Sequence, residues 1–262
     1  MTPFSTLIAG VAEEAGVYVA DVTDDWRQGR TLYGGLSAAL CVAMAIRAVP
    51  DLPPLRSAQF AFIGPASGAV QASPSLLRRG RSAAFVSVDL MAEAGLATRA
   101  LLCFGTARVS ALSHDGLKMP DVPPPQACAA FFGRQGAPNF SQHFDAHLAR
   151  GGALISGGAD PDMMLWLRHR DRAAANDAVA LLALADASPP AAMVMFTAPA
   201  PISTMTWMVD ILAEPPVADD GWCLMRSAAE TVADGYSSQA MTIWSASGRP
   251  LIAARQNVAI FV

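Results

Sequence analysis

The hydrophobic pattern divides the chain into two similar halves. From Leu36 to Val49 the sequence reads LSAALCVAMAIRAV, and only Ser37 and Arg47 are polar. A surface helix carries one apolar stripe; a segment apolar nearly all round predicts a helix buried on all sides. Gly34-Gly35 opens this run, and Pro50, Pro53 and Pro54 end it. Four strand-like segments follow at roughly 56–63, 68–78, 83–91 and 97–109, separated by Gly64-Pro65, Arg79-Gly80 and Ala94-Gly95. The pattern then recurs. A second apolar helix, Ala173–Ala185, ends at Ser188-Pro189-Pro190, and strands are predicted at roughly 202–212, 222–233, 237–246 and 250–261. Gly80-Arg81-Ser82 opens a strand that turns at Gly95, and Gly235-Tyr236-Ser237 opens one that turns at Gly248.

One buried helix followed by antiparallel strands predicts a sheet wrapped around a helix, here twice: an α+β chain of two tandem units. Their expected extents are 1–112 and 159–262. Residues 113–158, with three consecutive prolines at 123–125, scattered glycines and three of the four histidines, are expected as a linker and lead-in.

Composition narrows the class. Of 262 residues, 53% are hydrophobic and 15% charged, which excludes a disordered chain. The net charge of -4 leaves no basic excess to neutralise phosphates, so no nucleic-acid partner is expected. The longest apolar runs fall short of the ~18–20 residues of a membrane span. The N-terminus has no basic region and reaches Glu13 and Glu14 early, unlike a signal peptide. Cys41, Cys103, Cys128 and Cys223 are widely spaced and read as reduced core residues of a cytoplasmic protein; no CxxC supports zinc.

The ordered motifs resemble the double-hotdog acyl-CoA thioesterases of the thioesterase II-like superfamily. They are Trp26, Tyr33-Gly34-Gly35, Phe60-x-Phe62-x-Gly64-Pro65 and Arg79-Gly80-Arg81-Ser82, then Leu184-Ala185-Asp186, Pro201-Ile202-Ser203-Thr204, Gly221-Trp222, Trp244, Gly248-Arg249 and Arg255-Gln256. The resemblance spans roughly 26–109 and 160–262. It implies a double hotdog that hydrolyses an acyl thioester of coenzyme A, with coenzyme A as part of the substrate and no metal or redox cofactor. It also implies a catalytic trio that falls on Asp186, Thr204 and Gln256, which would hold and activate a water. Pairing of hotdog sheets into homo-oligomers is common in that family.

Asp186 and Gln256 also stand out on their own chemistry. Asp186 follows the unbroken apolar run Ala178–Ala185, and burial beside it would raise the carboxyl pKa toward that of a useful base; the C-terminal end of a helix acts the same way. A solvated Asp beginning a turn is the plainer alternative. Gln256 shares a strand face with Ile252, Ala254, Val258, Ile260 and Val262 and is its only polar member, so it needs partners. Strict alternation places Ser203, not Thr204, with Met205, Trp207, Val209 and Ile211; either a bulge re-aims Thr204 or Ser203 takes its place.

Gly34 and Gly35 would offer free N–H groups at a helix N-terminus to a developing oxyanion. Tyr33 stands where many relatives carry His and is a candidate substrate contact. Arg79 and Arg81, with Arg78, are candidates for the phosphates of coenzyme A, or simply solvated.

Three rivals are weaker. His143 and His147 have helical metal-ligand spacing but no third ligand. Gly35-Leu36-Ser37-Ala38-Ala39 lacks the last glycine of a nucleophile elbow. Hotdog hydratases of the relevant families use a His with an Asp five residues earlier, and no such pair occurs. A different class, a non-catalytic acyl-thioester or lipid-binding hotdog, would bind without releasing coenzyme A. An interaction scaffold would leave Asp186 and Gln256 far apart.

Overall fold

A computed structural model of the chain describes residues 1–133, 136–174, 177–213 and 220–262. A short helix α1 (Phe4–Ala9), strands β1 (Ala12–Glu14) and β2 (Val17–Val22) and a small hairpin, β3 (Arg27–Gln28) with β4 (Thr31–Leu32), lead into helix α2 (Gly34–Ala48). Strands β5 (Leu55–Phe62), β6 (Gly68–Arg79), β7 (Ala83–Ala92) and β8 (Gly95–Gly105) follow. The second half contains β9 (Ala129–Ala130), β10 (Phe144–Gly151), β11 (Asp162–His169), helix α3 (Ala178–Ala185), and β12 (Ile202–Ile211), β13 (Cys223–Ala233), β14 (Tyr236–Ser245) and β15 (Pro250–Ile260).

Among the described residues, thirteen strands form one antiparallel sheet in the order β1-β2-β6-β7-β8-β5-β12-β15-β14-β13-β11-β10-β9. The halves join where β5 pairs with β12, with Phe60 opposite Trp207 and Ala58 opposite Val209. Helix α2 packs on β6, β7 and β8, α3 packs on β11, and the two helices pack on each other. This is the expected double hotdog. Every residue of α2 from Gly35 to Ala45 is buried, as a helix without a polar face requires.

Two sequence-based boundaries shift. Helix α3 begins at Ala178, because the Asp177 side chain accepts the Ala180 N–H and caps it; Ala173 and Ala174 lie in the preceding turn. Two of the residues assigned to that helix, 175 and 176, lie outside the described residues. The segment expected as linker and lead-in supplies β9 and β10, so pairing in the second half begins before 159. Its 117–128 portion covers the outer face of the second half. There Met119, Val122 and Cys128 pack on Met164, Trp166, Trp222, Leu224 and Trp244. The indole N–H groups of Trp166 and Trp244 donate to the carbonyls of Pro123 (2.9 Å) and Leu117 (2.8 Å). Of the four cysteines only Cys41 is a core residue; the other three are half-buried.

Candidate active site

The two helices meet at their ends. Tyr33, directly before α2, is fully buried, stacks on Phe140 with ring centroids 4.0 Å apart, and donates its hydroxyl to the Ala183 carbonyl of α3 at 2.7 Å. This clamp sets the N-terminus of α2 beside the C-terminus of α3, whose C-cap is Asp186. Tyr33 is therefore a strut between the helices and presents no free surface to a substrate.

No side chain of α2's own N-cap reaches its first N–H groups. Leu36 and Ser37 donate to the Tyr33 carbonyl, and the Gly35 N–H donates to the Asp186 carboxylate. The Gly34 N–H meets no acceptor among the described residues, and Gly34 is half-exposed. Of the two amides considered for an oxyanion, then, Gly35's already holds Asp186 and Gly34's is open. The glycines are also sterically required. A Cβ on Gly34 would stand 2.8 Å from Asp186 Oδ2, and one on Gly35 would stand 2.6 Å from the Tyr33 ring.

The other oxygen of Asp186 is held by Gln256, whose Nε2 donates to Oδ1 at 2.6 Å. Gln256 is buried on the inner face of β15, as its strand pattern requires. Its amide orientation is fixed by a relay that begins at a backbone donor. Ala191 N–H donates to Gln239 Oε1 (3.0 Å), and Gln239 Nε2 donates to Gln256 Oε1 (2.8 Å), which leaves Gln256 Nε2 for the carboxylate. Gln239 was missed in the sequence. Its signal was weak: the inner face of β14 carries Ser237 and Ser245 as well as Met241 and Ile243, so Gln239 does not stand out there as Gln256 does on β15.

Burial lifts the Asp186 carboxyl from an ordinary 3.8 to about 7, against the hydrogen bonds from Gln256 and Gly35, which favour the charged form. Taken as a whole residue, backbone included, Asp186 is half-buried. The result is a carboxylate that titrates near neutrality beside the open N–H of a helix terminus.

Thr204 is brought to the same face by a bulge in β12. Register shifts between Thr204 and Thr206, so Thr204 opposes Val258 while Thr206 already opposes Asn257. Met205 is the extra residue and is exposed. Thr204 joins Trp207, Val209 and Ile211 on the inner side, and Ser203 turns outward and is exposed. The assignment of Met205 to the apolar face was thus one residue out of phase, and Ser203 does not take Thr204's place.

Arg79 is elsewhere. Its guanidinium donates to the Pro50 (2.6 Å) and Asp51 (3.3 Å) carbonyls beyond the far end of α2, roughly 20 Å along the helix from Gly34 at 1.5 Å per residue. Arg81 is exposed in the adjoining turn. His143 stacks on Trp26 at 3.7 Å, and His147 contacts the Pro125 carbonyl; no metal-binding group of side chains occurs among the described residues.

Comparison with known proteins agrees with this architecture. The acyl-CoA thioesterase N-terminal domain matches residues 22–105 and the acyl-CoA thioesterase C-terminal domain residues 118–260. A hotdog-fold protein from Alicyclobacillus acidocaldarius superposes with a TM-score of 0.88 at 26% identity, covering 98% of this chain and 97% of that one. An acyl-CoA thioesterase II from Mycobacterium marinum gives 0.76 at 20% identity, covering 97% and 96%. A dehydratase domain from Pseudomonas fluorescens shares the fold more distantly, at 0.54 and 13%, covering 92% and 93%. The curated proteins contain no match. With both halves matched in order along one continuous sheet, the chain belongs to the acyl-CoA thioesterase family.

Proposed function

We propose that the protein hydrolyses an acyl-CoA thioester to a carboxylic acid and free coenzyme A, with Asp186 as general base. The observation that carries this reading is a carboxyl group lifted to about 7, held at 2.6 Å by Gln256 and placed against the N-terminus of a buried helix. Ionised Asp186 takes a proton from water as the water oxygen bonds to the thioester carbon. The C=O electron pair moves onto oxygen and is received by the Gly34 N–H. When the tetrahedral intermediate collapses, the C–S bond breaks and the departing sulfur takes the proton from Asp186. In this reading the second N–H of Gln256 and the Thr204 hydroxyl hold the water.

The test is free-thiol release from a panel of acyl-CoAs of short, long, branched and aryl chains, with wild type beside Asp186→Asn. A loss of about a hundredfold or more in the variant supports the base assignment. Equal turnover in both would remove Asp186 from the chemistry, and no release by folded wild type on any substrate would leave a protein that binds but does not hydrolyse.

A further inference from the structure

Tyr33 touches both of the backbone elements that fix Asp186. Its hydroxyl donates to the Ala183 carbonyl at 2.7 Å, one turn before the carboxylate. In a helix that ran on, that carbonyl would receive the N–H of Ala187. Here the Ala187 N–H goes to the Leu184 carbonyl at 3.0 Å, so Tyr33 supplies the donor that the last turn of α3 lacks. The Tyr33 ring also lies against Gly35, where a Cβ would meet it at 2.6 Å, and Gly35 gives its N–H to the Asp186 carboxylate. The ring is itself fixed. Phe140 stacks on it at 4.0 Å with the planes 4° apart, Trp26 stacks with it at 6.5 Å, and Trp26 stacks in turn on His143 at 3.7 Å.

Phenylalanine would give the same stack. What the hydroxyl adds is one buried hydrogen bond, and it falls on the turn that ends in the carboxylate. We propose that Tyr33 is a positioning residue for the hydrolysis: its hydroxyl closes the last turn of α3, its ring seats the Gly35 amide, and together they keep the Asp186 carboxylate against Gln256 and away from bulk water. This rests on the reading of Asp186 as the base; Tyr33 touches no reacting atom. Burial, and then the charge of Asp186, hold the Tyr33 phenol well above the usual 10, so it stays a donor wherever Asp186 ionises. The other titratable groups engaged with α3 are His169, whose Nε2 donates to the Ala180 carbonyl at 2.8 Å, and Asp177 at the far end. Burial lowers the His169 pKa, so it is neutral where Asp186 titrates. Three influences act on Asp186: burial raises its pKa, and the Gln256 and Gly35 hydrogen bonds lower it. Burial is the largest, so loosening the last turn has a definite sign. Water reaches the carboxylate and its pKa falls toward 3.8.

The test removes the hydroxyl and keeps the ring. Tyr33→Phe should lower kcat about tenfold or more with KM within about threefold, and should move the midpoint of the kcat/KM profile from about 7 down by about one pH unit or more. A Tyr33 that serves only the fold would lower the melting temperature and leave that midpoint and the turnover of the folded protein unchanged, which overturns the proposal. A 4-aminophenylalanine introduced at 33 returns a donor to the same place and should return the midpoint to the wild-type value. A second readout needs no turnover. The 13Cγ resonance of Asp186, identified by its loss in Asp186→Asn, should titrate at lower pH in Tyr33→Phe than in wild type; superimposable titration curves overturn the proposal. Should Tyr33→Phe not fold, Phe140→Leu, which frees one face of the Tyr33 ring and keeps the hydroxyl, takes its place in both experiments with the same direction expected. If Asp186→Asn abolishes turnover but Tyr33→Phe matches wild type, only this inference fails; if wild type releases no thiol, the thioesterase reading itself has failed.

Discussion

Asp186→Asn should stabilise the protein in alkaline solution relative to its effect in acid, and the size of that difference follows from the site. A carboxyl whose folded pKa lies above its unfolded value binds protons more tightly in the folded chain. Its contribution to stability is complete below the unfolded pKa and is lost as pH rises through the folded one. For Asp186 the window runs from 3.8 to about 7, and the full span is roughly 4 kcal/mol. Partial exposure makes that an upper figure. Between about pH 5 and pH 8 wild type should lose roughly 2–3 kcal/mol from this group alone. Asn cannot titrate, so its cost in contacts, including the acceptor lost to either Gly35 or Gln256, is the same at both pH values.

The quantity to measure is therefore the stability gap between variant and wild type at each pH, by denaturant or thermal unfolding. The variant should gain about 2–3 kcal/mol on wild type between pH 5 and pH 8, or about 5–10 °C in melting temperature for a chain of this length. His143 and His169, whose pKa values burial lowers, also shift stability between these pH values in the sense that acid weakens the fold. They are present in both proteins and drop out of the gap. Stability curves that run parallel from pH 5 to pH 8 would show that the Asp186 carboxyl is not lifted by burial, and the argument for a neutral-range base would lose its physical ground.

Three further outcomes follow from the same geometry. The kcat/KM of wild type should fall about tenfold per pH unit below about 7 and level off above it, because the base must be ionised; a flat profile down to pH 5 excludes Asp186 as that base. Gln239→Leu strands the Ala191 N–H and the Gln256 Oε1, which should cost ~1–3 kcal/mol for each and lower kcat, since the Gln256 amide is then free to turn its oxygen toward Asp186; wild-type activity in a folded variant would show that the relay does not orient Gln256. Arg79→Ala should leave KM for acyl-CoA within about twofold, because the guanidinium holds the Pro50 and Asp51 carbonyls at the far end of α2; a KM raised tenfold would return Arg79 to the substrate.

What the sequence made legible was local. Period-two alternation isolated Gln256 on an apolar face, whereas on β14 the same rule returns Ser237, Gln239 and Ser245 together and singles out none of them. The unbroken apolar runs announced both buried helices, because a helix without a polar face has nowhere else to go. The bulge at Met205 was not legible, since one extra residue shifts the phase of everything before it and leaves composition untouched. The 117–128 segment has no period of its own; it covers the outer face through backbone carbonyls, which every sequence possesses. Tyr33 and Arg79 have side chains able to meet a ligand, but contacts 150 and about 30 positions away in the chain engage them within the fold.

The arrangement also explains why two similar halves yield one site. The site combines the C-cap of one helix with the N-terminus of the other. At α3's C-cap the sequence supplies a carboxylate, and at α2's N-terminus it supplies two glycines and no side-chain cap, so Asp186 can cap α2 from across the interface and still leave the Gly34 N–H open. The reciprocal pair of ends differs in both members. The C-cap of α2 is Val49, which has no proton to accept or give, and the N-terminus of α3 is closed by its own Asp177, whose carboxylate accepts the Ala180 N–H at 2.9 Å. A second site would need an acid at 49 and the removal of the cap at 177. The second change alone should cost the eight-residue α3 about 1 kcal/mol, on a helix too short to form without its packing and its cap. Duplication of the fold supplies two pairs of helix ends, and local capping decides which pair is left to do chemistry.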